Sequence, residues 1–321
     1  MVIVSELAHG KMHFHKQRLT TRRIYPAFYI PEGEAFEASS MAVDIFYQYF
    51  SNNSFSLFHC IVHVHEDSVL SVQSVDEYWS CQLIYKSHLT GKSNGKTFKY
   101  LQGQVLLGEK KLTEHSFYLK AGCVYEMLAI PIPPEWLLPL AKARHLISKP
   151  VWGHYKMLES FEKVMKAPNK DGLPKELFEW VVRTVTGNTA KEWPISERQV
   201  DNLFYVQEQM KLDLHKKAGL KAWASQAQMN LTTFKYLFNQ VFGVTPYNYL
   251  LEMRLEAAKK MAVEEPDLSL AAIAERCGFI TYKNLHRLFY TKEKMTLTAW
   301  KKLQRLLQML IASDVLDTCW L

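Results

Sequence analysis

The 321-residue sequence has no apolar run approaching the ~20 residues that a membrane-spanning helix requires, so no transmembrane segment is expected. Its N-terminus, MVIVSELAHGKMHFHK, begins apolar but is interrupted at Glu6 and His9. It shows no charged lead, long apolar stretch or cleavage site of a signal peptide, and a soluble cytoplasmic protein is the expectation. Five cysteines, Cys60, Cys81, Cys123, Cys277 and Cys319, are widely scattered with no C-x-x-C pair. An odd, dispersed set is a poor disulfide framework and reads as reduced, mostly buried thiols. There is no G-x-S-x-G, phosphate loop, H-E-x-x-H or G-x-G-x-x-G pattern, so the chain is read as non-enzymatic, with no cofactor expected.

What is present is apolar and unevenly charged. With 48% hydrophobic residues, the length suffices for about two domains of ~150 residues. From about Phe14 to Ile132 the segments FSLFHCIVHVH (55–65), SVLSVQSV (68–75), YWSCQLIYKSH (78–88), KYLQGQVLLGE (99–109) and SFYLKAGCVYEMLAIPI (116–132) are rich in aromatic and β-branched residues. Turn-forming breaks such as GKSNGK (91–96) separate them, which predicts an antiparallel sandwich or barrel. After Pro131, Pro133 and Pro134 the period becomes helical, over roughly 135–147, 153–166, 174–186 and 196–217. Residues 198–305 carry 17 Lys+Arg against 10 Asp+Glu, a net +7 that equals the charge of the whole chain. A concentrated positive segment attracts polyanions such as phosphate backbones.

That basic third contains a degenerate repeat. LKAWASQAQMNLTTFKYLFNQVFGVTPYNYL (220–250) is followed by LAAIAERCGFITYKNLHRLFYTKEKMTLTAW (270–300). Ala224 and Ala227 match Ala274 and Cys277 at an offset of 50; after a one-residue difference at the turn, Phe234, Leu237 and Phe238 match Leu285, Leu288 and Phe289 at 51, as Tyr249 matches Trp300. Each copy has the parts of a helix-turn-helix: a short helix with small residues where a second helix crosses closely, then a turn, then a helix with a buried i, i+3, i+4 stripe. Gly278 suits the second turn, and Asn230 and Thr281 suit helix N-caps. Between the copies, Thr245 and Pro246 start a helix that should reach about Glu264, a spacer ending before Pro266.

The stretches NLTTFKYLFNQVFGVTPYNYL (230–250), RLEAAKKM (254–261), LAAIAERCGF (270–279) and LHRLF (285–289) resemble the AraC/XylS family of regulators over about 100 residues. The resemblance implies two recognition helices set in successive major-groove segments of one DNA face, ~34 Å apart. It also implies RNA polymerase as a partner, a homodimer, and a small-molecule effector that binds the β-domain and shifts DNA affinity. The sequence departs from the family at Lys294 and Leu297, where Gly and Pro are usual, and at Tyr290, where a basic residue is common. These departures leave open a shifted C-terminal helix or altered DNA contact in the second unit.

The expected fold is therefore an α+β two-domain chain. A β-rich, cupin-like barrel or sandwich sensor occupies 1–134 and a helical bridge or dimerisation region 135–195. An all-α double helix-turn-helix domain occupies 196–305, with an apolar tail over 306–321. Thr232, Thr233, Lys235, Tyr236 and Asn239 on the first recognition helix should face outward. So should Tyr282, Lys283, Asn284, His286 and Arg287 on the second. By the resemblance, Thr232, Lys235, Tyr236, Lys283, His286 and Arg287 occupy the base-reaching positions. His63 and His65 share a face of one strand and, with His59 or Glu66, raise a cupin-like metal site. The Gly and Glu landmarks of such a site do not follow at the right distances, so no metal is expected; His9, His13 and His15 read as a loose polar N-terminus. The resulting function is a sequence-specific activator of transcription that binds double-stranded DNA and responds to an effector. The alternative is an enzyme, or a ligand-free interaction domain, fused to a DNA-binding module. An enzyme would need a reactive thiol, whereas Cys60, Cys81 and Cys123 sit in apolar strand contexts.

Overall fold

The computed structural model describes residues 3–7, 10–17, 30, 33–52, 56–74, 78–110, 114–132, 150–166, 179, 193–215 and 219–306. Fourteen strands come first: β1 Ile3–Leu7, β2 Gly10–Lys11, β3 His15–Gln17, β4 Glu34–Ser39, β5 Val43–Ser51, β6 Ser56–Val64 and β7 Ser68–Ser74, then β8 Tyr78–Lys86, β9 Leu89–Ser93, β10 Lys96–Tyr100, β11 Gln104–Lys110, β12 Glu114–Leu119, β13 Val124–Pro131 and β14 Val151–Trp152. Helices follow: α1 Tyr155–Lys166, α2 Glu197–Leu212, α3 Leu220–Gln226, α4 Leu231–Phe242, α5 Pro246–Glu264, α6 Leu270–Arg276, α7 Tyr282–Glu293, and α8 over 297–306. The chain divides into two compact units, 1–201 with 240–243, and 202–239 with 244–321. None of the described helices is long and apolar enough to cross a membrane.

The first unit holds two antiparallel sheets, one of six strands in the order β10-β9-β12-β7-β1-β2 and one of eight in the order β14-β11-β8-β13-β6-β5-β4-β3. One core joins them: Val43, Ile45, Val62, Val64, Ile84 and Tyr125 from the larger sheet meet Leu70, Leu89 and Leu119 from the smaller. Strand alternation puts these side chains on one face, as the pleat requires.

The sequence places the β-region correctly but not all of its joints. The GKSNGK break is a hairpin turn, as expected, but a shorter one than the six residues. Only Asn94 and Gly95, at φ 49 and 74, turn there, and Ser93 pairs Lys96 across a two-residue hairpin. The strands expected over 99–109 and 116–132 each split at a positive-φ glycine, Gly103 and Gly122. The N-terminus is not loose: β1 pairs residue for residue with β7, and β3 with β4, leaving His13 and His15 exposed beside this edge. Cross-strand pairing is a long-range property that local polarity does not report. The helix expected over 196–217 ends at Leu212, and Tyr155 begins the one expected at 153. The expected helix over 135–147, all of that over 174–186 except residue 179, which is helical, His9, and the tail beyond residue 306 lie outside the described residues.

Two of the histidines considered for a metal, on β6 and just past its end, face carboxylates. His65 Nε2 lies 2.7 Å from Asp44 Oδ2 at the surface, and His59 Nε2 lies 2.9 Å from Glu126 Oε1 in the interior. On that inner position Gln48 and His59 are wholly buried and Glu126 is 5% exposed, side by side on the face of the large sheet opposite the shared core. Ile30, also fully buried, donates its backbone N–H to Gln48 Oε1 at 3.2 Å. A buried carboxylate is costly unless a partner faces it. His59→Ala should therefore destabilise the β-unit by about 3 kcal/mol, read as a lowered urea midpoint; Glu126→Gln, which removes the charge, should cost clearly less.

Candidate nucleic-acid interface

The first helix-turn-helix is built from α3 and α4. Ala224 and Ala227 of the first helix are 2% and 0% exposed, beneath Phe234, Leu237 and Phe238 of the second, all at 1% or less. Alanine's lack of bulk lets the two backbones approach. The turn is made by Gln228 at φ 56, a left-handed position filled without glycine. Asn230 Oδ1 then accepts from the Thr233 N–H at 2.8 Å and caps α4. Phe238 meets the fully buried Tyr249 at 5.6 Å between ring centres. Tyr249 is held in turn by Gln207 of α2 at 2.8 Å, and Asn202 of α2 donates to the Ala227 carbonyl at the turn, 3.0 Å.

The second unit, α6 and α7, repeats this geometry. Ile273, Ala274, Cys277, Phe279, Leu285, Phe289 and Leu297 form one core with Leu255, Ala258 and Ala262 of α5. Phe289 meets Trp300 edge-on at 6.0 Å, the counterpart of Phe238 and Tyr249. The turn hydrogen bonds match one for one at an offset of 50. In the first unit Ala227, Gln228 and Met229 donate to Trp223, Ser225 and Ala224; in the second Cys277, Gly278 and Phe279 donate to Ile273, Glu275 and Ala274. The caps match at 51, because Thr281 Oγ1 accepts from the Asn284 N–H at 3.3 Å. The extra residue is Ile280, and it is 77% exposed.

Gly278 answers two demands. Its φ is 78, and a Cβ built on it would lie 2.1 Å from the Leu214 carbonyl oxygen. That same oxygen accepts from Arg254 Nε at 2.9 Å, tying the end of α2 to the spacer helix α5. The spacer starts as the sequence predicts, with Thr245 Oγ1 capping Asn248 and Pro246 in the first turn, and ends at Glu264. It also grips α7 by charge. Lys292 reaches Glu252 at 2.9 Å, and Lys259 reaches Glu256 and Glu293 at 2.8 and 2.7 Å. Burial disfavours the Lys259 charge, but the two carboxylates overcome it and raise its pKa above the ordinary lysine value.

At the departures 294 and 297 the chain closes α7 and opens α8 with caps of its own. Lys294 adopts the left-handed cap itself, at φ 57, and its N–H bonds the Tyr290 carbonyl. Thr296 Oγ1 caps the next helix through Ala299 at 3.1 Å, and Leu297, where proline is usual, is fully buried. Among the residues expected to face outward, Thr232, Lys235, Asn239, Lys283, Asn284 and Arg287 are exposed, while Thr233, Tyr236, Tyr282 and His286 are half-buried. Tyr282 lies 5.8 Å from the His286 ring and also packs on the second core. Lys235, Lys283 and Arg287 form no ion pair among the described residues, so their charge faces outward uncompensated. Sequence reasoning missed the left-handed Gln228, the Thr296 cap and the ties from α2 and Arg254. Only the jump in offset from 50 to 51 marked anything unusual near Ile280. Cys81 and Cys277 are buried, which pushes their thiols up to about 12 and about 11. At neutral pH both stay protonated and unreactive.

Residues 223–303 match the family model described as a helix-turn-helix domain. The C-terminal segment is thus a DNA-binding domain of two helix-turn-helix units. Apart from the start of α3, both units fall inside the matched residues. A probable transcriptional regulator, LumQ of Photobacterium leiognathi, is 28% identical over 95 residues, which are 29% of this chain and 38% of that protein's length. The solved DNA-binding domain of AdpA in complex with a target DNA is 26% identical, over 32% of this chain and 93% of its own, with a TM-score of 0.31. The AraC-like transcriptional activator CuxR is 10% identical, over 78% of this chain and 96% of its own, with a TM-score of 0.37.

Lys294→Gly should stabilise the protein by up to about 1 kcal/mol, since glycine adopts the left-handed cap without strain but gains freedom on unfolding; thermal unfolding will show a midpoint raised by a few degrees. Gly278→Ala should cost about 2 kcal/mol or more, from the same backbone region and from the blocked approach to Leu214.

Proposed function

We propose that this protein is a transcription regulator that recognises specific sequences in double-stranded DNA through α4 and α7. The observation that carries the reading is the pair of capped second helices, each with an uncompensated basic face: Lys235 on α4, Lys283 and Arg287 on α7. On this reading Thr232, Thr233, Lys235, Tyr236 and Asn239 approach one major-groove segment, and Tyr282, Lys283, His286 and Arg287 approach the next. Arg287 and Lys283 suit guanine O6 and N7, and Thr232 suits a thymine methyl or a phosphate. Half-buried Tyr282 and Tyr236 present only part of their rings.

The reading extends to a cytoplasmic activator, without enzymatic activity, that works as a homodimer, contacts RNA polymerase and responds to a small-molecule effector in the β-unit. Its domain limits are 1–134, 135–195, 196–305 and 306–321. The effector part is supported by the family resemblance and by the buried polar trio Gln48, His59 and Glu126. An effector acts only if it binds two states of the protein unequally. Selection of random duplexes by the full chain, followed by footprinting of the winners, tests the core of the proposal. Two protected segments about one helical turn apart are expected, and the absence of any protected site removes the reading. Lys235→Ala and Arg287→Ala should each weaken binding roughly tenfold. A residue that neutralises a phosphate will also lower the slope of log K against log salt by about one, whereas a base-reading residue will relax preference at one position.

A further inference from the structure

We propose that Ile280 is a specificity-determining residue that reads the 5-methyl group of a thymine at the leading end of α7. The inference rests on the DNA-binding reading and goes beyond it in naming a residue outside the helix and the group it recognises. Backbone hydrogen bonds of the two turns superpose in register up to Met229 and Phe279, and the caps resume at Asn230 and Thr281. Ile280 is the single residue inserted between them. The first unit passes directly from Met229, half-buried, to its cap, so the fold does not need the insertion to close the turn.

The inserted side chain is large, apolar and 77% exposed, among polar exposed neighbours Thr281, Lys283 and Asn284. A lone exposed apolar residue is ordinary. This one stands immediately before the N-cap of a recognition helix, and the N-terminal residues of such helices are the ones that meet base edges. The cations of the same helix, Lys283 and Arg287, draw that end towards a polyanion. On the major-groove edges of the four base pairs the apolar group is the thymine methyl, so an isoleucine brought there has one good partner. Its β-branch holds χ1 nearly fixed, so little rotamer freedom is lost on contact.

The test uses the full chain and the best duplex from random selection, with each thymine replaced in turn by deoxyuridine, which lacks only the methyl. Loss of one buried methyl contact corresponds to roughly a three- to fivefold rise in Kd. The expected result is one thymine, under the second unit, whose replacement gives that rise with the native chain and none with Ile280→Ala, while Ile280→Val keeps most of the sensitivity. Unchanged thermal unfolding of Ile280→Ala verifies that the loss is not one of folding. If the native chain binds the duplex equally well with every thymine replaced, the proposal fails and the DNA-binding reading stands. Undiminished methyl sensitivity in Ile280→Ala, or a loss in that variant equal for all duplexes, overturns it too, the latter by making Ile280 a backbone contact. If no duplex is selected at all, both readings fall together.

Discussion

Everything at the C-terminal interface depends on how closely two pairs of helices cross. At each crossing the first helix offers small buried residues, Ala224 and Ala227 or Ala274 and Cys277, all at most 2% exposed. Phe234, Phe238, Leu285 and Phe289 fill the space above them. A larger residue at any of the four small positions would push the second helix outward and swing its polar face by the same displacement. Interiors packed to crystal-like density transmit such shifts instead of absorbing them. The left-handed turn residues serve the same end, reversing the chain within one residue so that the second helix starts beside the first.

The spacer helix converts two small units into one frame. It lends Leu255, Ala258 and Ala262 to the second core, ties α2 through Arg254, and clamps α7 through Lys259 and Glu252. From the other side α2 holds the first turn through Asn202 and the aromatic brace through Gln207. Recognition of DNA needs rigid supports, since base-edge contacts tolerate displacements of only about half an ångström. The paired charges at α7 support the frame, while Lys283 and Arg287 on the same helix stay exposed.

The β-unit follows a different logic. Its eight-stranded sheet is buried on both faces along β5 and β6: Val43, Ile45 and Val62 face the smaller sheet, and Phe46, Gln48, His59 and Ile61 face away from it. Two-sided burial explains why these strands read as near-continuous apolar runs with few alternating polar residues. It also makes the polar members of the outer face conspicuous. Gln48, His59 and Glu126 occupy costly positions, which His59 and Glu126 meet by facing each other and Gln48 by accepting from the Ile30 backbone.

The chain of residues determined by itself the period of each segment, the duplicated unit, the small residues at its crossings, the caps at Asn230, Thr245 and Thr281, and the basic excess in the last third. Each is a local property: a spacing, a side-chain volume, a turn preference. Tertiary structure decided the rest. Pairing of β1 with β7 joins residues more than sixty positions apart. Lys294 occupies a left-handed cap because Leu297 and Trp300, anchored on the second core, fix the path that follows it. His59 and Glu126 become partners only when β6 and β13 lie side by side. Ile280 is an unremarkable letter in the string; it stands out because it is inserted between the turn's hydrogen bonds and the cap of α7, with its side chain 77% exposed. Local patterns follow from a residue's own geometry, whereas partnership and exposure depend on what the rest of the chain brings next to it.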